Sequence, residues 1–212
     1  MKIKWQAVFF DFDGVILDSV DVKTQAFATM FRSYGPKVEK AVVEYHLAHG
    51  GISRFKKFEY YYRHLLQKPI TEEMLEDLGR EFNQFTLDGV LAAPFIDEAM
   101  ETLERLKQQG IPTFVVSGTP HEEIQLIVEK RNLSPYFVEV HGSPRKKLEI
   151  MQDISSRHSL CMKDCLFIGD ATTDFEAAQG CGTGFLGIVK DCEQSPFPES
   201  TQVSPWVHVE LN

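Results

Sequence analysis

Five short apolar runs constrain the fold of this chain more than any other feature: "AVFF" (7–10), "TFVVS" (113–117), "FVEV" (137–140), "CLFIG" (165–169) and "GFLGIV" (184–189). Each is continuous or nearly so, the pattern of strands covered on both faces rather than on one. Amphipathic helical patterns lie between the later runs. One carries Met100, Leu103 and Leu106 and stops at Gly110; another starts at Pro120 and carries Ile124, Ile127 and Val128. Gly past the last turn and Pro at the first are helix stop and start signals. Strands alternating with helices predict a parallel α/β sheet.

From about residue 20 to residue 88 the alternation stops. Val22, Ala26, Phe27, Met30, Phe31 and Tyr34 follow helical spacing up to Gly35-Pro36, and Met74, Leu75, Leu78, Phe82 and Phe85 form a second stripe behind a Thr71 cap. Residues 19–90 hold ten Lys/Arg and ten Asp/Glu, so the rest of the chain carries the whole net charge of -9. The expected division is a core of 1–18 and 90–212 with a helical insert at 19–89. Asp18-Ser19 and Asp88 to Pro94 are candidate hinges. The stretch from Glu193 to Pro205 reads as a loop and "WVHVEL" as a short last strand.

At 212 residues and 43% hydrophobic content the chain can bury a sizeable core. The acidic balance argues against a nucleic-acid partner, which needs a concentrated basic surface. Asp11 and Asp13 interrupt the apolar start before it can serve as a signal-peptide core, and no other stretch approaches the roughly 18 apolar residues of a membrane span. The expected location is cytoplasmic, with no membrane partner. A monomer is expected, with an oligomer left open. Cys161, Cys165, Cys181 and Cys192 form no C-x-x-C pair and read as reduced structural thiols.

The chemistry gathers at the ends of the apolar runs. In "FFDFDGVILDS" (9–19) residues i and i+2 of an extended chain point the same way, so Asp11 and Asp13 project together from the carboxyl end of the first strand. Two carboxylates there repel unless a cation neutralises them or one keeps its proton. A hard divalent cation such as Mg²⁺ does the first; the second places a general acid beside a nucleophile. A solvated D-x-D-G turn is the plain alternative. Three further segments weigh against it. "PTFVVSGTP" ends in Ser117-Gly118, a hydroxyl and an approachable backbone N–H; "HGSPRKKLEI" puts Lys146 and Lys147 at a helix start; "CLFIGDATTDFEAA" ends in Gly169-Asp170 and adds Asp174.

With "DFDGV", "VVSG", "GSPRKK" and "GDATTD" in order, the chain resembles the haloacid dehalogenase superfamily. The resemblance implies a Rossmann-like, doubly wound core with a helical cap inserted after the first motif. It implies Asp11 as nucleophile, Asp13 as general acid/base, Ser117 and a lysine as phosphate ligands, and Mg²⁺ held by Asp11, Asp13 and Asp170. Asp174 would ligate the ion or its water, or orient the lysine. The spacing G-x-P-x-x-K favours Lys147 over Lys146. Phe12 and Gly118 are the expected neighbours of the substrate. The superfamily's dehalogenases lack the second aspartate, so Asp13 favours phosphoryl transfer: a phosphatase acting on a small phosphomonoester through an aspartyl phosphate. A sugar-phosphate mutase and a non-catalytic phosphate-binding module are the alternatives.

The segment "HGGISRFKKFEYYYRH" (49–64) carries Arg54, Lys56, Lys57 and Arg63 against Glu59 alone. If Ser53 caps a helix, Phe55, Phe58 and Tyr62 share one stripe and Arg54, Lys57 and Tyr61 another. The aromatic stripe reads as core. The basic stripe is either a solvated face or, with Arg54 and Lys57, a site for a second anionic group on the substrate. His46 and His49 read as surface or hinge residues, since no carboxylate or cysteine at ligand spacing completes a metal site. "GCGTG" (180–184) precedes a strand and reads as a helix stop and turn.

Overall fold

The computed structural model describes residues 5–190 and 194–210. The apolar runs form one parallel sheet of β1 (Ala7–Phe10), β2 (Thr113–Pro120), β3 (Glu139–Ser143), β4 (Cys165–Gly169), β5 (Gly184–Ile188) and β6 (Val203–Ser204). Its order is β3-β2-β1-β4-β5-β6. The absence of apolar/polar alternation now has its physical reason. Val8, Phe10, Val115, Leu166 and Ile168 pack on one face against Leu103 and Leu106 of α5 (Ala99–Gln108) and Ile124 and Ile127 of α6 (His121–Lys130). Ala7, Phe9, Phe114, Val116 and Phe167 pack on the other against Ile150 and Ile154 of α7 (Lys147–His158) and Ala177 and Ala178 of α8 (Thr172–Cys181). Both residue parities are therefore apolar, as a doubly wound α/β sheet requires.

Two strand expectations need correction. β3 begins at Glu139 rather than residue 137, because Phe137 follows a 3₁₀ turn and Val138 is 53% exposed on what is an edge strand. The last strand is Val203–Ser204, not "WVHVEL". Val207 and Val209 still bury their side chains in the core, so the apolar signal there reports packing without pairing. Leu211, Cys192 and Glu193 lie outside the described residues. The other three cysteines are unpaired thiols.

Four helices fill the stretch after β1: α1 (Val20–Phe31), α2 (Pro36–Ala48), α3 (Arg54–Tyr60) and α4 (Glu72–Ala92). Thr71 caps α4, its hydroxyl accepting from Met74 N–H at 3.2 Å. Phe27, Phe31, Phe58, Tyr61 and Phe82 make an aromatic cluster separate from the sheet's two cores, with Phe27 and Phe58 edge to face at 5.7 Å. α3 passes into a π turn over Tyr61–Leu65, and Tyr61, on the stripe of Arg54 and Lys57, packs into this cluster. α4 runs three residues past the expected boundary at 89, and its Val90 joins the sheet's core. The two crossings to the helices lie side by side: Asp18 N–H donates to Pro94 O at 2.9 Å and Ile96 N–H to Ile16 O at 3.1 Å. No helix among the described residues is long and apolar enough to cross a membrane.

Candidate active site

The strand order turns over between β1 and β4, and open α/β sheets bind ligands at such a point, beyond the carboxyl ends of the strands. Asp11 leaves β1 with its N–H bonded to Ile168 O of β4 at 2.9 Å, and Asp170 leaves β4 beside it. Gly14 lets the chain turn away: its φ is +79°, and a Cβ there would fall 2.3 Å from Asp170 Oδ2.

One oxygen from each of Asp11, Asp170 and Asp174 lies within 4.8 Å of the other two. Lys147 reaches in from the start of α7. Its Nζ meets Asp11 Oδ2 at 2.8 Å and Asp174 Oδ1 at 2.5 Å. Asp174 Oδ2 accepts from Ala171 N–H at 3.0 Å, so both of its oxygens are engaged. Lys146 is exposed at the N-cap of α7. Asp13 turns its carboxylate elsewhere. It accepts from Ser19 Oγ at 2.6 Å and Thr119 Oγ1 at 2.9 Å, and it forms an ion pair with Lys23 of α1.

These surroundings split the two aspartates. Burial pushes the Asp11 carboxyl up to about 7 against the pull of Lys147, with Asp174 adding like-charge repulsion. Burial and the Asp11 charge likewise raise Asp170 well above the carboxylate range. At Asp13 burial acts upward too, but Lys23 and the hydrogen bonds from Ser19 and Thr119 outweigh it and hold the group below its ordinary value. Carboxyl oxygens of Asp11 and Asp170, with an Asp174 oxygen within 4.8 Å of both, form an oxygen donor set of the kind that a hard divalent cation takes.

A cavity of about 150 Å³ opens above the aspartates between the sheet edge and the helices. Its walls include Asp11, Asp13, Gly118 and Asp170 from below, and Lys23, His46, Arg54 and Lys57 from above. Ser117 is 1% exposed behind this surface, its Oγ accepting from Thr119 N–H at 3.1 Å. Phe12 has its ring in the hydrophobic core and offers the site only its backbone N–H, which donates to Asp11 Oδ1 at 2.7 Å. The loop at Gly50-Gly51 rests on the sheet edge. Thr173 Oγ1 donates to Gly50 O at 3.1 Å, and a Cβ on Gly118 would stand 2.4 Å from Gly51 O.

Arg54 and Lys57 are both buried, which excludes the solvated-face reading. They differ in partner. Arg54 Nη2 pairs with Glu123 Oε1 of α6 at 2.5 Å, and its guanidinium lies 4.6 Å from the Phe82 ring centre. Lys57 Nζ donates to His46 Nδ1 at 2.8 Å. His46 is thus no surface residue: it is 7% exposed, its ring 4.8 Å from that of Phe27. His49 is partly buried and stacks on Tyr45 at 3.9 Å.

Lys23, Thr119 and Glu123 are site residues that the sequence reading passes over, and His46 is one that it reads as surface or hinge. Lys23 and Thr119 were within reach, since one lies a turn into the helix after the first motif and the other two residues past Ser117. His46 and Glu123 carry no local signal, because their roles depend on how α2 and α6 meet α3.

The profile of the haloacid dehalogenase-like hydrolases matches residues 5–182. A phosphoglycolate phosphatase of Vibrio parahaemolyticus is 28% identical over 193 residues, which cover 85% of this chain and 82% of that protein. Among solved structures, CbbY from Rhodobacter sphaeroides in complex with phosphate has a TM-score of 0.72 at 14% identity, covering 95% of this chain and 94% of its own. A β-phosphoglucomutase from Clostridium difficile has a TM-score of 0.70 at 18% identity, covering 88% of this chain and 85% of its own. At such identities the structural likeness is one of fold. The sequence profile spans β1 to β4, the inserted helices and every strand end that carries an acidic side chain of the site, and on it the chain belongs to the haloacid dehalogenase-like hydrolases.

Proposed function

We propose that the protein is a Mg²⁺-dependent phosphatase of small phosphomonoesters, with Asp11 as nucleophile, Asp13 as general acid/base and the helical segment 19–89 as a cap over the site. The observation that carries this reading is the separation of the two aspartates. Asp11 sits in a cluster of carboxylates with Lys147, while Asp13 sits two residues away on its own set of donors. Two carboxyl groups on separate partners but one strand end can act on one phosphorus, one attacking it while the other handles the proton of the ester oxygen.

In the first half-reaction an Asp11 oxygen attacks phosphorus in line with the ester oxygen. The P–O bond to the alcohol breaks as the aspartyl-phosphate bond forms, and Asp13 gives its proton to the departing oxygen. The Lys23 ion pair favours the carboxylate form of Asp13, and a phosphate dianion beside it raises its proton affinity again. In the second half-reaction Asp13 takes a proton from water as that water attacks phosphorus, freeing inorganic phosphate and regenerating Asp11. Mg²⁺, when held by Asp11 and Asp170, supplies positive charge to the phosphoryl oxygens. Ser117 and Lys147 are the proposed donors to the same oxygens. Asp174, with both oxygens engaged, acts by holding Lys147. Gly118 contributes a backbone N–H at the substrate's edge, and the Phe12 N–H, donated to Asp11 Oδ1, orients the attacking carboxylate. A cavity of about 150 Å³ is below the roughly 300–1,000 Å³ of sites for drug-sized ligands, which supports a small substrate.

The test is phosphate release from a panel of small phosphomonoesters, with Mg²⁺ and with chelator, for wild type and Asp11→Asn. Metal-dependent release that disappears in the variant is expected. A mutase is the second reading, favoured by the fold likeness to β-phosphoglucomutase. Phosphate moved between hydroxyls of a sugar phosphate, with none released, would establish it in place of hydrolysis.

A further inference from the structure

A second cavity lies away from the aspartates and shares no lining residue with theirs among the described residues. It holds about 250 Å³ against about 150 Å³, and it sits beneath the segment that follows β5. Leu166 of β4 and Leu186 of β5 form its apolar floor, and Trp5 and Trp206, the two tryptophans of the chain, border it. The phosphatase chemistry proposed above uses none of these residues.

Trp206 is exposed by construction and not by fraying. It keeps 45% of its surface in water, yet Ser204 Oγ donates to its carbonyl at 2.7 Å and accepts from its N–H at 3.2 Å. The next residue is pinned at α5: Val207 N–H donates to Asp97 O at 3.0 Å, and Val207 O accepts from Thr102 Oγ1 at 2.6 Å. An indole fixed half in water beside a cavity leaves apolar surface for a ligand to cover. The border is also acidic. Glu210 lines the cavity, and Glu98 meets His208, another lining residue, at 2.7 Å. No Lys or Arg is among the described residues that line it.

We propose that this cavity binds an organic ammonium ion, its charge against the indoles of Trp5 and Trp206 and the carboxylate of Glu210, its apolar groups on Leu166 and Leu186. Aromatic rings attract a cation through their quadrupole, and methylated ammonium ions are recognised by walls of such rings. A metal ion asks instead for several oxygen ligands at one point, and the walls here are mostly carbon. The acidic border disfavours a phosphate, which sets this site apart from the one over Asp11.

Neither tryptophan lines the cavity over the aspartates, so indole fluorescence reports on this one. The probes are choline and 3,3-dimethylbutan-1-ol, which has the same shape with carbon in place of the charged nitrogen. Each is titrated into the wild-type protein at constant ionic strength and fixed Mg²⁺. A saturable change in fluorescence is expected, with a dissociation constant about five- to thirtyfold lower for choline, the worth of a cation–π contact withdrawn from water. In Trp206→Leu, with Trp5 left as the reporter, that ratio is expected to fall toward one. No saturable change with choline, equal affinities in wild type, or a ratio that survives in the variant would overturn the proposal. The wild-type arm decides even if the variant misfolds. Phosphate release enters none of these readings, so the phosphatase reading can fail without touching the result.

Discussion

Asp13 shows at the scale of one residue how position and environment divide the labour of two identical side chains. Asp11 and Asp13 leave the same strand end, yet Lys23, Ser19 and Thr119 give Asp13 a separate hydrogen-bonded seat. If Asp13 serves both half-reactions, its loss is felt according to the leaving group. With an alkyl phosphate, Asp13→Asn is expected to slow turnover by about 10²–10⁴, the usual worth of a placed acid/base. With p-nitrophenyl phosphate the departing phenolate needs no proton, so the first half-reaction survives and the second stalls. Stopped-flow measurement should then show a burst of about one nitrophenolate per enzyme followed by slow turnover. A variant that loses burst and steady state alike would mean that Asp13 serves the first chemical step whatever the leaving group. The presence of both aspartates is legible from four letters of sequence. That they occupy different seats is not, since Lys23 and Thr119 come from other elements.

Among elements, β3 and α7 are tied by one acidic side chain. Glu139 at the start of β3 accepts from Arg157 Nη1 and Nη2 at 2.6 and 2.7 Å and lies 2.6 Å from His158 Nε2, both at the last turn of α7. Hydrogen bonds from Arg157 outweigh partial burial and hold its carboxyl far below the ordinary range. A folded-state pKa below the unfolded one stabilises the fold above the unfolded pKa, and that stabilisation is lost as pH falls through the folded value. Glu139→Gln should therefore lower Tm at pH 7, with the gap to wild type closing as pH is brought from about 4.5 toward 3. A gap constant across that interval would mean that shape rather than charge holds the strand to the helix. This contact also accounts for the misplaced start of β3. The continuous apolar runs of β1, β2 and β4 mark central strands, whereas the edge strand pairs through a mixed segment whose order comes from a helix 18 residues later. β6 fails to show for the same reason, as two residues carry no periodicity.

For the whole molecule, the inserted helices are attached at one side and clasped at the other. The crossings at Asp18–Pro94 and Ile16–Ile96 lie together, while the far edge is held by Gly50-Gly51 on Thr173 and Gly118 and by the Arg54–Glu123 pair. That the insert exists is legible in the break of strand–helix alternation and the balanced charge of 19–90; where it touches the sheet is not, because such contacts join residues as far apart in the chain as Arg54 and Glu123 or Gly50 and Thr173. Glu123→Gln tests how the parts move. Breaking a buried ion pair from one side ordinarily costs about 3–5 kcal/mol, because a charge is left buried without a partner. Here the side chains of Arg54 and Glu123 are 5% and 10% exposed, so that cost applies in full while the helices stay down. If they lift as a unit, Arg54 regains water, and the penalty cannot exceed the free energy of lifting. The expected result is a loss in global unfolding free energy well under 3 kcal/mol by urea titration, together with at least tenfold faster proteolysis in the 49–53 loop. The full loss with no change in cleavage would mean that the helices and the sheet form one rigid unit, and that substrate enters by another route than the lifting of α1–α4.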